Sequence, residues 1–160
     1  MKKLLLIRHA KSSWKFPELD DHDRPLNKRG ERDRHRMSEY LLERAEALDA
    51  IHSSTAVRAL TLAHTIGEAL KVEVASRQSL YTFGAGALSS VIRQLPSALN
   101  NVAVVGHNPA ITELSNHLTK ARIDNVPTSG IVSIECNLSS WSELNPEQCR
   151  LLSFVAPKLI

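Results

Sequence analysis

The sequence predicts a three-layer α/β sandwich, a mostly parallel central sheet flanked by helices. Three observations predict it. Short apolar runs and amphipathic segments alternate along the chain. Two of the runs, Leu4-Leu5-Leu6-Ile7 and Val102-Ala103-Val104-Val105, are continuously apolar, as strands buried on both faces are. Both end abruptly in polar residues, Arg8-His9-Ala10-Lys11-Ser12 and Gly106-His107-Asn108-Pro109. Two histidines therefore stand at the carboxyl ends of strands, the edge at which open α/β sheets bind their ligands.

The elements follow in order. After the first strand, Lys11 to Pro25 is polar, with Trp14 and Phe16 as its large apolar groups, and reads as a long loop over the strand's edge. Asn27, with Leu26 before it, caps a helix that turns Met37, Tyr40, Leu41 and Leu48 inward. Its residues Arg29, Glu31, Arg32, Arg34, Arg36 and Glu43 read as a solvated face. Ala50-Ile51-His52-Ser53 is a second strand, and Ser54 or Thr55 can cap the next helix, whose Ala59, Ala63, Ile66 and Leu70 keep helical spacing. Val72-Glu73-Val74 alternates as a brief third strand, and Leu88, Val91, Ile92 and Leu95 mark a helix ending at Pro96. The Val102 strand leads into a helix with Pro109 in its first turn and Ile111, Leu114 and Leu118 inward. Two late strands cover Ile131 to Cys136 and Leu151 to Val155.

Bulk properties narrow the function classes. A chain of 160 residues is expected to be a single domain, 1–160. The net charge of +3 is spread over a chain whose acids nearly match its bases, which points away from nucleic acid and fits a small anionic group. Cys136 and Cys149 have no CxxC spacing and read as reduced, packed thiols. The apolar start is interrupted at Arg8, too short for a signal-peptide core or a membrane span, so a cytoplasmic location is expected. Neither HExxH nor His-x-His nor an acidic metal cluster is present, so no metal and no cofactor are expected.

The strand edges suit phosphoryl chemistry. Asn108-Pro109 opens a helix whose free backbone N–H groups favour an anion beside His107, which makes Asn108 a candidate phosphate-binding residue. Arg58, one turn into its helix, projects from the same edge. Arg8, Arg58 and His107 can surround a phosphoryl group while His9 attacks it. A neutral imidazole, with an ordinary pKa of about 6.5, is a competent nucleophile at physiological pH. His22, His35, His52, His64 and His117 lack such a setting and read as structural or solvated.

These motifs, with Arg24-Pro25-Leu26, Arg29-Gly30, Ser53-Ser54 before Arg58, Pro127-Thr128-Ser129-Gly130 and the closing Phe154-Val155-Ala156-Pro157-Lys158, resemble the histidine phosphatase superfamily. Within it the chain looks like the small SixA-type phosphohistidine phosphatases, and the likeness runs nearly end to end. The resemblance implies a phosphoglycerate mutase-like fold without a lid insertion. It implies His9 as a nucleophile that is transiently phosphorylated, with Arg8, Arg58 and His107 as the other catalytic, phosphoryl-binding residues. The family's commoner Arg-His-Gly reads Arg8-His9-Ala10 here.

Larger relatives carry a glutamate general acid after the third strand, whereas Leu80-Tyr81-Thr82-Phe83-Gly84-Ala85-Gly86 has no acid. General acid catalysis typically contributes about 10²–10⁴-fold, which an alkoxide leaving group needs. Imidazole leaves with far less help. Asp20, Asp21 and Asp23 in the long loop are the candidate proton donors. The resulting expectation is a metal-independent phosphohistidine phosphatase acting on a phosphohistidine-bearing protein, a phosphorelay or phosphotransferase carrier, with no nucleic-acid or membrane partner. A phosphomonoesterase for sugar or nucleotide phosphates is the second enzyme reading. A non-catalytic phosphohistidine-binding module is the third.

Overall fold

A computed structural model describes residues 1–160. Its strands are β1 (Lys2–Arg8), β2 (Ala50–Ser54), β3 (Val74–Arg77), β4 (Asn101–Gly106), β5 (Ile131–Cys136) and β6 (Cys149–Val155). Its helices are α1 (Lys28–Glu43), α2 (Val57–Leu70), α3 (Ala85–Arg93) and α4 (Ala110–Thr119). The strands form one sheet in the order β3-β2-β4-β1-β5-β6. The pairs β2–β3, β2–β4 and β1–β4 are parallel, while β5 runs antiparallel to both β1 and β6.

The apolar run of β1 is explained by its central place. Leu4 and Leu6 enter one core with Leu88 and Ile92 of α3 and Ile111 and Leu114 of α4. Leu5 and Ile7 enter the other with Met37 and Leu41 of α1 and Leu62 and Ile66 of α2. All four β1 side chains are fully buried, so neither face has a polar alternate. No helix is long and apolar enough to cross a membrane.

Local caps set where elements begin. Asn27 accepts a hydrogen bond from Gly30 N at 2.8 Å, capping α1. A Cβ at Gly30 would meet Lys11 O at 2.1 Å, so the loop leaving β1 lies directly on this helix. The third strand begins at Val74 and not at Val72. Val72 N instead donates to Gly67 O at 2.9 Å, closing α2 behind a left-handed Lys71. At the start of α2, Ala56 takes the cap position, and the Ser54 hydroxyl accepts from Ala56 N at 3.2 Å.

The parallel ladder fixes the functional edge. Arg8 pairs with Gly106, so the residues that follow each strand, His9 and His107, emerge side by side. His9 N donates to Gly106 O at 2.9 Å, and Ala10 N to Arg58 O at 3.1 Å. Three separate chain segments are thereby tied together by backbone before any side chain is considered.

Candidate active site

His9 and His107 meet with ring centroids 5.2 Å apart. His9 Nδ1 lies 2.8 Å from Ala10 O. A carbonyl can only accept, so Nδ1 carries the proton and Nε2 keeps an unshared electron pair. Burial, with the nearby charges of Arg58 and Arg8, pushes His9 down to about 3, and the ring is neutral at physiological pH. His107 Nε2 lies 2.8 Å from Ser54 Oγ. Where that hydroxyl donates to Nε2, the ring proton lies on Nδ1. Burial, followed by Arg58, holds His107 down at about 4.

Arg8 and Arg58 are two cations within reach of each other. Burial and the charge of Arg58 both lower the Arg8 pKa. Arg8 Nη1 donates to Val126 O at 3.0 Å and has no carboxylate partner. Arg58 is nearly inaccessible, at 3% exposure, and gives Nη1 to Asp21 O at 2.7 Å and Nη2 to Asp21 Oδ2 at 2.8 Å. Arg24 Nη2 reaches Asp21 Oδ1 at 2.9 Å. One carboxylate thus serves Arg58 and Arg24, and Arg8 is left without a counter-ion.

Eight buried side-chain polar atoms have no hydrogen-bond partner, Arg24 Nε, His52 Nδ1, Thr128 Oγ1 and Ser129 Oγ among them, and three of the eight are donors on the phosphoryl-binding candidates. These three are Arg8 Nε, Arg58 Nε and His107 Nδ1. Native interiors rarely leave such groups unmet unless a ligand, an ion or a water meets them. All three belong to the residues that the sequence assigned to a phosphoryl group. Beside them the backbone is strained: Ser129 has φ 62°, and its N–H is shared between Arg8 O at 3.1 Å and His9 O at 2.9 Å.

The other assigned residues fare differently. The side-chain amide of Asn108 is not free to meet a phosphate. Its Nδ2 is spent on Asn125 Oδ1 at 3.0 Å and Val126 O at 3.1 Å, and its Oδ1 accepts from Thr112 N and Thr112 Oγ1. Pro109 holds the cap position of α4. Asn108 shares Val126 O with Arg8 and so steadies that arginine's anchor.

Asp21 departs from the proton-donor reading as well. Hydrogen bonds from Tyr81, Arg58 and Arg24 outweigh the opposing effect of burial and hold its carboxyl far below the usual range, so it stays an anion. Asp23 pairs with His22 at 2.9 Å, and Asp20 is exposed.

Sequence reasoning missed an aromatic rim. Tyr81 donates its hydroxyl to Asp21 Oδ2 at 2.7 Å, and its ring meets His107 edge-on at 5.3 Å. Phe83, 45% exposed, lies 5.2 Å from the His107 ring. His22, read from the sequence as structural or solvated, meets Tyr81 at 5.0 Å and places Nε2 2.8 Å from Thr55 Oγ1. The acid-free stretch after β3 carried the only signal, the aromatics Tyr81 and Phe83 within it. A cavity of about 430 Å³ lies elsewhere, between Arg29, Arg36, Pro127 and Pro157, and no inserted element covers the edge at which His9 stands.

Comparison with known proteins gives the site its setting. The model of the histidine phosphatase superfamily (branch 1) matches residues 4–91, more than half of the chain. An uncharacterized protein of Mycobacterium tuberculosis is 32% identical over 95% of this chain and 100% of its own length. A protein of Agrobacterium tumefaciens, provisionally named phosphohistidine phosphatase SixA, superposes with TM-score 0.83 at 25% identity, covering 98% of both chains. The protein histidine phosphatase SixA bound to tungstate shares the fold with TM-score 0.80 at 18% identity, over 98% of this chain and 97% of that one. A mycobacterial glucosyl-3-phosphoglycerate phosphatase shares it with TM-score 0.69 at 16% identity, over 94% of this chain and 97% of that one. With a family match over its amino-terminal half and a full-length relative at this identity, the chain belongs to the histidine phosphatase superfamily, branch 1.

Proposed function

We propose that this chain is a phosphohistidine phosphatase that works through a covalent phosphohistidine on His9. The observation that carries the reading is the trio of buried, unpartnered donors Arg8 Nε, Arg58 Nε and His107 Nδ1 beside an imidazole whose Nε2 is free. The trio supplies hydrogen bonds to equatorial phosphoryl oxygens, and Arg8 supplies the unbalanced charge. His9 Nε2 attacks phosphorus while the P–N bond to the substrate imidazole breaks. The remote nitrogen of that substrate ring takes its proton from solvent at the open mouth, so it leaves as neutral imidazole.

The Ala10 carbonyl then accounts for the second half. It keeps the proton on His9 Nδ1, so the phosphorylated ring is a cation held by that carbonyl. Water attacks phosphorus, the Nε2–P bond breaks, and His9 departs as neutral imidazole with inorganic phosphate formed. No proton has to move on His9 in either step.

Two features support phosphohistidine over an alkyl phosphate. Asp21 is held as an anion and Tyr81, whose pKa burial raises, gives its proton to Asp21, so neither is positioned as an acid for an alkoxide. The open edge also admits a histidine presented on the surface of a carrier protein. The metabolite reading has a fold neighbour behind it, the glucosyl-3-phosphoglycerate phosphatase. The deciding experiment compares kcat/KM on a phosphohistidine protein, acetyl phosphate, an aryl phosphate and a sugar phosphate. The rate is expected to fall steeply as the leaving group becomes more basic, with chelators having no effect. A preference for sugar phosphates would replace this reading with the metabolite phosphatase.

A further inference from the structure

The two cysteines, which the catalytic account does not use, sit at the end of the sheet opposite His9. Cys136 closes β5 and Cys149 opens β6, and the two are directly opposite in the antiparallel ladder. Their sulfurs are 2.9 Å apart. The neighbouring bond, Asn137 N to Gln148 O at 2.8 Å, makes residues 137 and 148 the hydrogen-bonded pair. Cys136 and Cys149 therefore form a non-hydrogen-bonded pair, the arrangement that brings Cα atoms to about 4.5 Å and side chains closest. That separation lies within the range disulfides span, roughly 4.4–6.8 Å.

The two thiols are not equivalent. Cys136 is fully buried in the larger core, whereas Cys149 is partly exposed and lines a surface cavity of about 270 Å³ with Glu147 and Arg150. The hydrogen bond with Cys136 lowers the Cys149 pKa, and the same contact with burial raises that of Cys136. An accessible thiol with the more available thiolate stands in contact with a buried one that only it can reach, the arrangement of an attacking and a resolving cysteine.

We propose that Cys136 and Cys149 are an oxidation site for small-molecule disulfides, closing to an intramolecular cross-strand disulfide. The Cys149 thiolate attacks one sulfur of the small disulfide, forming a mixed disulfide and expelling one thiolate, which takes up the proton that Cys149 lost. Cys136 then gives up its proton, attacks the Cys149 sulfur and expels the second thiolate, which leaves as thiol. Two protein thiols are oxidised and one disulfide is reduced to two thiols.

Closure ties the ends of the connection from Asn137 to Gln148. That connection carries Trp141, which is buried in the larger core and donates Nε1–H to Leu99 O at 2.8 Å. The bond shortens the unfolded chain's free loop and fixes an edge strand, so its effect is on stability and not on turnover. His9 follows the far end of β1, whose first residue, Lys2, is the one that pairs with Cys136.

The test treats the reduced full-length chain with oxidised glutathione and reads intact mass, peptide maps, thermal melting and phosphatase rate. The wild type should lose the mass of two hydrogens, yield a Cys136–Cys149 linked peptide, and melt higher by about 5–10 °C. Its turnover should stay the same. Cys136→Ser should stop at a glutathione adduct on Cys149, and Cys149→Ser should remain unmodified while folded. A wild type that keeps a stable glutathione adduct, forms linked dimers, or stays unreacted until denatured overturns the proposal.

Discussion

Replacing Arg58 with alanine separates a phosphoryl-binding role from a structural one, because the two make opposite demands on the same side chain. Arg58 is 3% exposed and engages Asp21 through both terminal nitrogens, while its Nε has no partner. If Nε meets a phosphoryl oxygen in the transition state, its loss should lower turnover by about 10²–10³-fold, the range for removing one preorganised donor. The stability ledger is small. Asp21 is 45% exposed in its side chain and keeps Arg24 and Tyr81 when Arg58 goes. A pair with one half-exposed partner contributes on the order of 0–1 kcal/mol, and the loss is offset by relief of the repulsion between Arg58 and Arg8. The melting temperature should move by less than about 5 °C.

A third readout follows from the same geometry. The charge of Arg58 depresses both imidazoles, so His9 and His107 should each titrate at higher pH in Arg58→Ala when followed by NMR. Intact turnover in the variant would refute the role. So would loss of turnover by unfolding, with a collapsed melting temperature.

Other outcomes follow from the charges around the site. Asp21→Asn should reduce kcat/KM by roughly tenfold on every substrate alike, because one amide oxygen cannot satisfy Arg58, Arg24 and Tyr81 together. If Asp21 were the acid, the loss would fall on alkyl phosphates alone and the pH profile would change shape. For pH, the folded protein holds His9 and His107 neutral while the unfolded chain protonates them near 6.5. The unfolded state then binds more protons, so stability should fall as pH drops from about 6.5 toward 4 in chemical denaturation. Followed by NMR, the His9 ring should likewise protonate well below 6.5, and a midpoint at 6.5 would contradict the buried, neutral nucleophile.

What was legible in the sequence was whatever a strong local pattern enforces. The runs at Leu4 and Val102 are apolar on both faces because β1 and β4 are central, so their ends, and hence His9 and His107, were found without a structure. Arg58 followed from helical spacing. The partners of the Asn108 side chain were not legible, because a capping sequence says nothing of rivals, and Asn125 and Val126, far along the chain, claim its side-chain amide. Asp21 was one of three neighbouring acids until Arg58, Arg24 and Tyr81 converged on it from three segments. The contact between Cys136 and Cys149 depends on hairpin register, which composition does not carry. Val72 was counted as strand because alternation looks the same when one of its valines closes a helix.

The central proposal is that His9 itself carries the phosphoryl group. The direct measurement is brief exposure to a labelled phosphohistidine donor, an alkaline quench that preserves phosphoramidates, and mapping of the label. The account predicts acid-labile label on the peptide containing Arg8-His9, with label and turnover both absent in His9→Ala. Label confined to another histidine, or full turnover by His9→Ala, would contradict it.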